Sequence, residues 1–214
     1  MFKCMKPKPT KPIFINPRVN NGKKIIALVI PHNKKSQGAN NYLGESEYVF
    51  GKRIISKVKV KLELLGYSIV IIERPVGGYT YQCRHVAKMC KKYKVDFSLH
   101  LHFNSASYKV LGCEVLIAPT QSDLDNKLAD VLTDLLNERY GFKERGSDGV
   151  KTLEPSHNGY GMMSAVSKVG TVAVLLEPCF ANRRTKESAL IFENEDLYTD
   201  VIVDSIAIVA VQQK

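Results

Sequence analysis

Ile25-Ile26-Ala27-Leu28-Val29-Ile30 follows Lys24 as an unbroken aliphatic run, with Gly22 before it and Pro31-His32 after it. A strand with one wet face alternates polar and apolar residues. This run does not alternate, so it predicts a strand covered on both faces, as in a parallel sheet between helix layers. After a polar loop over 33–44 the period changes. Phe50, Ile54, Val58, Leu62 and Leu65 recur at spacings of four, four, four and three, which makes one apolar stripe on a helix. Ser46 is placed to cap its start and Gly66 to end it. The alternation continues downstream. Strands are expected over 67–72, 95–103, 112–118 and 172–176, and helices over 83–93 and 123–140. The segment 198–211 is rich in β-branched residues, but its length and nearly unbroken apolar run favour a buried helix. The expected fold class is α/β: one domain, a mixed, mostly parallel sheet with helices on both faces.

The chain has 214 residues, 44% hydrophobic and 24% charged, with a formal net charge of +10. These are globular values and exclude wholesale disorder. The charge is not evenly spread. Residues 1–24 carry seven basic residues, four prolines and no acidic residue, so +7 of the +10 lies there and +3 in the rest. The reading is a basic arm over 1–23 and a catalytic domain over 24–214. Excess positive charge implies a polyanionic partner. The N-terminal segment has lysines but no apolar stretch after them, so no secretory signal peptide is expected. No run is long and apolar enough for a transmembrane span. The five cysteines form no C-x-x-C pair, and they read as reduced, mostly buried small residues.

In open α/β sheets, ligands bind beyond the carboxyl ends of the strands. The polar residues expected there are His32, the pair His100 and His102, and Glu177, with Glu47 in the first turn of the first long helix. Two imidazoles and a carboxylate are enough for a catalytic zinc, which uses three protein ligands and leaves a position for water. A further carboxylate can serve as general base. Glu177 is the most informative of the group, because a carboxylate directly after five apolar strand residues is costly to bury without a partner. His100 and His102 point to one face of a strand, so either can be the ligand. Nearness to the strand end favours His102.

These residues, in this order, resemble the zinc-dependent N-acetylmuramoyl-L-alanine amidases of the amidase-3 type, found in bacterial autolysins and phage endolysins. The resemblance runs from about Lys24 to the C-terminus. It rests on the strand ending at His32, Glu47 opening a helix, Asp96-Phe97-Ser98-Leu99-His100-Leu101-His102-Phe103-Asn104, and Leu175-Leu176-Glu177-Pro178-Cys179-Phe180-Ala181-Asn182. It implies Zn²⁺ held by His32, Glu47 and His102, with Glu177 as the catalytic carboxylate. It implies substrate-binding roles for Asn104 and Arg145. Pro31 and Asn33 stand where the family has glycines. His157, in a polar segment longer than the family's, is an outside candidate for a ligand or a transition-state donor.

The implied activity is cleavage of the amide between N-acetylmuramic acid and L-alanine in peptidoglycan. A chain read without an export signal suits a phage endolysin, made in the cytoplasm and acting on the wall after release; a bacterial autolysin is the alternative. Anionic wall polymers are the expected partners of the arm, and no nucleic acid. A basic nucleic-acid-binding α/β protein leaves the His/Glu rim unexplained, and no known nucleic-acid motif is present. A silent wall-binding module would not need all four key residues. A zinc carboxypeptidase would need a His-x-x-Glu ligand pair, which does not occur.

Overall fold

The computed structural model describes residues 24–106, 110–120, 122–146 and 148–211. The basic arm and Cys4 lie outside them. The opening run forms β1 (Ile25–Val29), followed by α1 (Glu47–Leu64), β2 (Ser68–Ile72), α2 (Tyr79–Tyr93), β3 (Phe97–Leu101) and β4 (Glu114–Ile117). Then come α3 (Asp123–Tyr140), β5 (Val150–Thr152), α4 (Tyr160–Ser167), β6 (Val172–Glu177), α5 (Lys186–Glu193) and α6 (Glu195–Val211). The six strands form one sheet in the order β2-β1-β3-β6-β4-β5. All neighbouring pairs are parallel except β4 with β6.

Successive strand residues face opposite sides, and the core divides accordingly. Ile26 and Leu28 of β1, with Ile30 just after it, pack with Phe50, Ile54, Val58 and Leu62 of α1 and with α3 and α6. Ala27 and Val29 pack on the other side with Cys83, Val86 and Cys90 of α2 and with Met162, Met163 and Val166 of α4. The unbroken apolar run is thus explained: each face of β1 has its own helix layer.

Local signals set the helix ends. Ser46 accepts a hydrogen bond from Val49 N at the start of α1. Gly66 follows the helix at φ +89°, while Gly66 N and Tyr67 N donate back to Glu63 O and Leu62 O. That pairing closes the last turn and needs a residue that tolerates positive φ. Several boundaries expected from the sequence shift by one to four residues. β3 stops at Leu101, so His102 lies just past the strand rather than within it. α2 starts four residues early, at Tyr79, and α6 at Glu195. β5, α4 and α5 were not expected. Cys83, Cys90, Cys113 and Cys179 are free and buried. Among the described residues, no helix is long and apolar enough to cross a membrane.

Candidate metal centre and its carboxylate neighbour

β1 delivers His32 to the sheet rim, α1 presents Glu47 from its first turn, and β3 ends one residue before His102. Their ligand atoms all lie within 4.8 Å of one another. Glu47 is buried at 5% exposure, and its carboxylate stands between the two imidazoles. Glu47 Oε1 lies 3.0 Å from His32 Nε2, and Glu47 Oε2 lies 2.9 Å from His102 Nδ1. Ala39 N and Phe103 N donate to the same two oxygens. Burial pushes the Glu47 carboxyl upward, but hydrogen bonds and charge from His102 and His32 outweigh it and hold the group well below the usual carboxylate range. It therefore stays ionised, as a metal ligand must. His102 is lowered, first by burial and against the pull of Glu47, which keeps it neutral and able to ligate.

The loop around His32 is built for this position. His32 itself has φ +58°, an uncommon conformation for a residue with a side chain. Asn33, where a glycine was the family's choice, is buried and its Oδ1 accepts from Lys35 N and Ser36 N. Pro31 lies where a Cβ on Gly51 of α1 would come within 2.4 Å of its ring, so the absent side chain at 51 makes room for it.

Gly38 is the tightest point. It has φ +81°, and a Cβ there would lie 2.4 Å from His32 Cδ2, 2.5 Å from His32 Nε2 and 2.7 Å from Glu47 Oε1. Two ring nitrogens and a carboxylate oxygen, with backbone kept clear around them, fit a divalent cation. Gly38→Ala is expected to lower metal affinity by more than about 10-fold without changing a ligand, as displaced supporting groups do. Gly44→Ala is the control. It shares the positive φ of +84° but has nothing within 4 Å of a Cβ. Metal titration of both variants checks this.

His100 takes a different place. It is 1% exposed and its Nε2 lies 3.0 Å from Ser98 Oγ. Burial, then the charges of His102 and Arg74, hold it well below the usual histidine range. With His100 and His102 both lowered, the unfolded chain takes up protons at a higher pH than the folded one. Their contribution to stability is complete above the unfolded value near 6.5 and is lost as pH falls below it. Glu47, also lowered, acts in the same direction at lower pH. In a Glu177→Gln background, which removes a carboxyl whose raised value acts in the opposite direction, the metal-free protein is therefore expected to melt at progressively lower temperature from about pH 6.5 downward, by roughly 2–4 °C for each kcal/mol lost. Thermal melts across pH check it.

Glu177 ends β6 on the same rim. Asn104 Nδ2 donates to Glu177 Oε2 at 2.7 Å and to Glu114 Oε1 at 2.6 Å. Burial, the charge and hydrogen bonding of Glu114, and the charge of Glu47 push the Glu177 carboxyl up to about 8, with Arg145 opposing. Such a group can take and return a proton near neutrality. Arg145 donates to Glu114 Oε1 and lies over the Phe180 ring, 5.0 Å from its centroid. His157 stands apart from the metal group: its Nδ1 accepts from Glu154 N within a turn.

Two residues near the site were not singled out from the sequence. Glu114 opens β4, and Arg74 follows β2. Arg74 is buried, donates from Nε to Gln82 Oε1 at 2.9 Å and lies over the Tyr79 ring. The missed signal for each is a charged residue next to an apolar strand.

A neutral-range carboxyl beside a nitrogen–nitrogen–oxygen donor set is the equipment of metal-assisted hydrolases. Residues 26–207 match the amidase-3 family, described as N-acetylmuramoyl-L-alanine amidase. The chain belongs to that family. No curated protein matches it. Among solved structures, the N-acetylmuramyl-L-alanine amidase Ami1 from Mycobacterium smegmatis is similar at TM-score 0.70 and 19% identity, over 89% of this chain and 98% of that one. The catalytic domain of the amidase CwlV from Bacillus (Paenibacillus) polymyxa var. colistinus is similar at TM-score 0.65 and 21% identity, over 88% and 97%. The CwlD amidase from Clostridioides difficile, solved with the GerS lipoprotein, gives 0.68 and 16%, over 89% and 98%. At these identities the likeness shows the fold.

Proposed function

We propose that the chain hydrolyses the amide between N-acetylmuramic acid and L-alanine with Zn²⁺ held by His32, Glu47 and His102. The observation that carries this is the Glu47 carboxylate set between the His32 and His102 imidazoles, with Glu177 on the same rim. A bound Zn²⁺ supplies Lewis acidity and lowers the proton affinity of water. Glu177 takes the proton of the attacking water and returns it to the leaving nitrogen as the C–N bond breaks. Asn104 steadies the Glu177 carboxylate, and Arg145 borders the site where substrate groups enter. The same cleavage serves a phage endolysin and a bacterial autolysin.

Digestion of purified peptidoglycan tests the reaction. New L-alanine amino termini are expected, lost with a chelator and restored by Zn²⁺. Reducing sugar ends in their place would overturn the reading. For the arm we propose anionic wall polymers as partners, on the strength of the +7 in residues 1–24. Deleting residues 2–22 is expected to weaken sedimentation with cell walls at low salt and to leave cleavage of a soluble muramoyl peptide intact.

A further inference from the structure

The Glu177 carboxyl does not stand alone. In the antiparallel β4–β6 pair, Glu114 is the register partner of Glu177. Side chains of directly opposed residues share one face of a sheet. Glu114 is 6% exposed, and the two carboxyl groups approach closely enough to hydrogen-bond to each other. Asn104 Nδ2 has two N–H groups and gives one to each carboxylate. Its Oδ1 accepts from Ser105 N, so the amide is fixed in orientation. Asn104 also bridges to Phe180 through the backbone, and Phe180 is the ring under Arg145. Gly112 completes the frame. A Cβ there would lie 2.8 Å from Arg145 Cγ.

Stability alone is a poor reason for this arrangement. Two buried carboxylates side by side repel, and an ion pair to a partly exposed guanidinium, as in Glu114–Arg145, gives little net stability. The same charges have an evident use if Glu177 must handle a proton. We propose that Glu114 is a positioning residue for the reaction, coupled to Glu177 through the Asn104 amide and balanced by Arg145. This rests on the reading of Glu177 as the proton acceptor. The Asn104 bond holds Glu177 Oε2 and so fixes the orientation of the carboxyl. The charged groups facing Glu177 are Glu114 of β4, Glu47 of α1 and Arg145 of the segment after α3. Glu114 favours proton retention on Glu177, and Arg145 opposes it.

The test is the pH profile of kcat/KM for the zinc-loaded enzyme on a soluble muramoyl peptide. Glu114→Gln keeps an acceptor for Asn104 but removes the charge. It is expected to lower kcat about 10–100-fold, leave KM within about twofold, and move the acidic limb to lower pH. Arg145→Gln removes the opposing charge from a half-exposed side chain and is expected to move the limb to higher pH. An unmoved limb in both variants, or full activity in Glu114→Gln, overturns the proposal. If Glu114→Gln does not fold, Arg145→Gln decides alone: an upward limb supports the coupling and an unmoved one overturns it. Glu177→Gln separates the two readings. If that variant still turns over, the assignment of Glu177 fails, whatever Glu114 does.

Discussion

Glu177→Gln is expected to reduce turnover by at least about 10²–10⁴-fold, the range attributed to a positioned acid–base group, while the protein keeps its bound metal. Glu177 is absent from the His32, Glu47 and His102 group that could hold a metal, so the proposed ligand set is untouched. Gln offers an oxygen to Asn104 and an N–H to Glu114, so the hydrogen bonds survive and only proton transfer is lost. A second effect has the opposite sign. The Glu177 carboxyl is raised from about 4.5 to about 8, first by burial and then by Glu114 and Glu47. A raised carboxyl favours the folded state at low pH, and that contribution is lost as pH rises from the unfolded value through the folded one. Above about pH 8 the metal-free wild type thus holds a buried, repelled charge that Gln lacks. The inactive variant should melt several degrees higher there, and the gap should close toward pH 4.5. A bound cation counters the repulsion, so the melts are done without metal. An active variant, or one that melts lower at pH 8, sinks the assignment. Stability is here set against function at one side chain.

How far the sequence reveals this site depends on direction along the strands. β1, β3 and β6 run parallel, and their polar rim residues follow apolar runs, so the rule that ligands gather beyond carboxyl ends finds them. β4 runs the other way. Its rim residue is its first, Glu114, which precedes the apolar run Val115-Leu116-Ile117. A rule applied to strand ends passes over it. Long, strongly patterned elements were legible: α3 was expected over 123–140 and is observed there, with Ser122 and Asp125 forming a reciprocal cap. Short elements were not. β5 has three residues, mostly exposed. α4 follows Gly159, contains Gly161 and has no side-chain cap, so its sequence reads as a turn. α5 has only eight residues, too few to establish a period. β5 is held by its pairing with β4 and α4 by packing on α2 and β6 rather than by local pattern, whereas α5 packs on α6 and has a reciprocal Thr185–Ser188 cap as its local signal.

His102→Ala is expected to lower metal affinity by more than about 100-fold and to abolish cleavage, whereas His100→Ala should keep the metal and lose stability. Spacing alone leaves the two histidines equivalent, since residues two apart share a face of a strand. The end of β3 separates them. His100 is still within the ladder, paired in register with Val29 and Leu175, and its ring is enclosed with Ser98 Oγ as its hydrogen-bond partner. His102 follows the last register pair, its N still donating to Leu176 O, and its ring lies against Glu47 of α1, 4.9 Å from the His32 ring. Truncating His102 removes one of three donors and leaves the buried Glu47 carboxylate with one imidazole. Truncating His100 leaves a void and takes one partner from the Ser98 hydroxyl, which keeps Cys90 beside it, a loss of about 2–4 kcal/mol that shows in denaturant melts of the metal-free protein. Metal analysis of the two purified variants, read beside their melts, separates the roles. Metal lost from His100→Ala but retained in His102→Ala would place the ligand inside the strand and overturn the register.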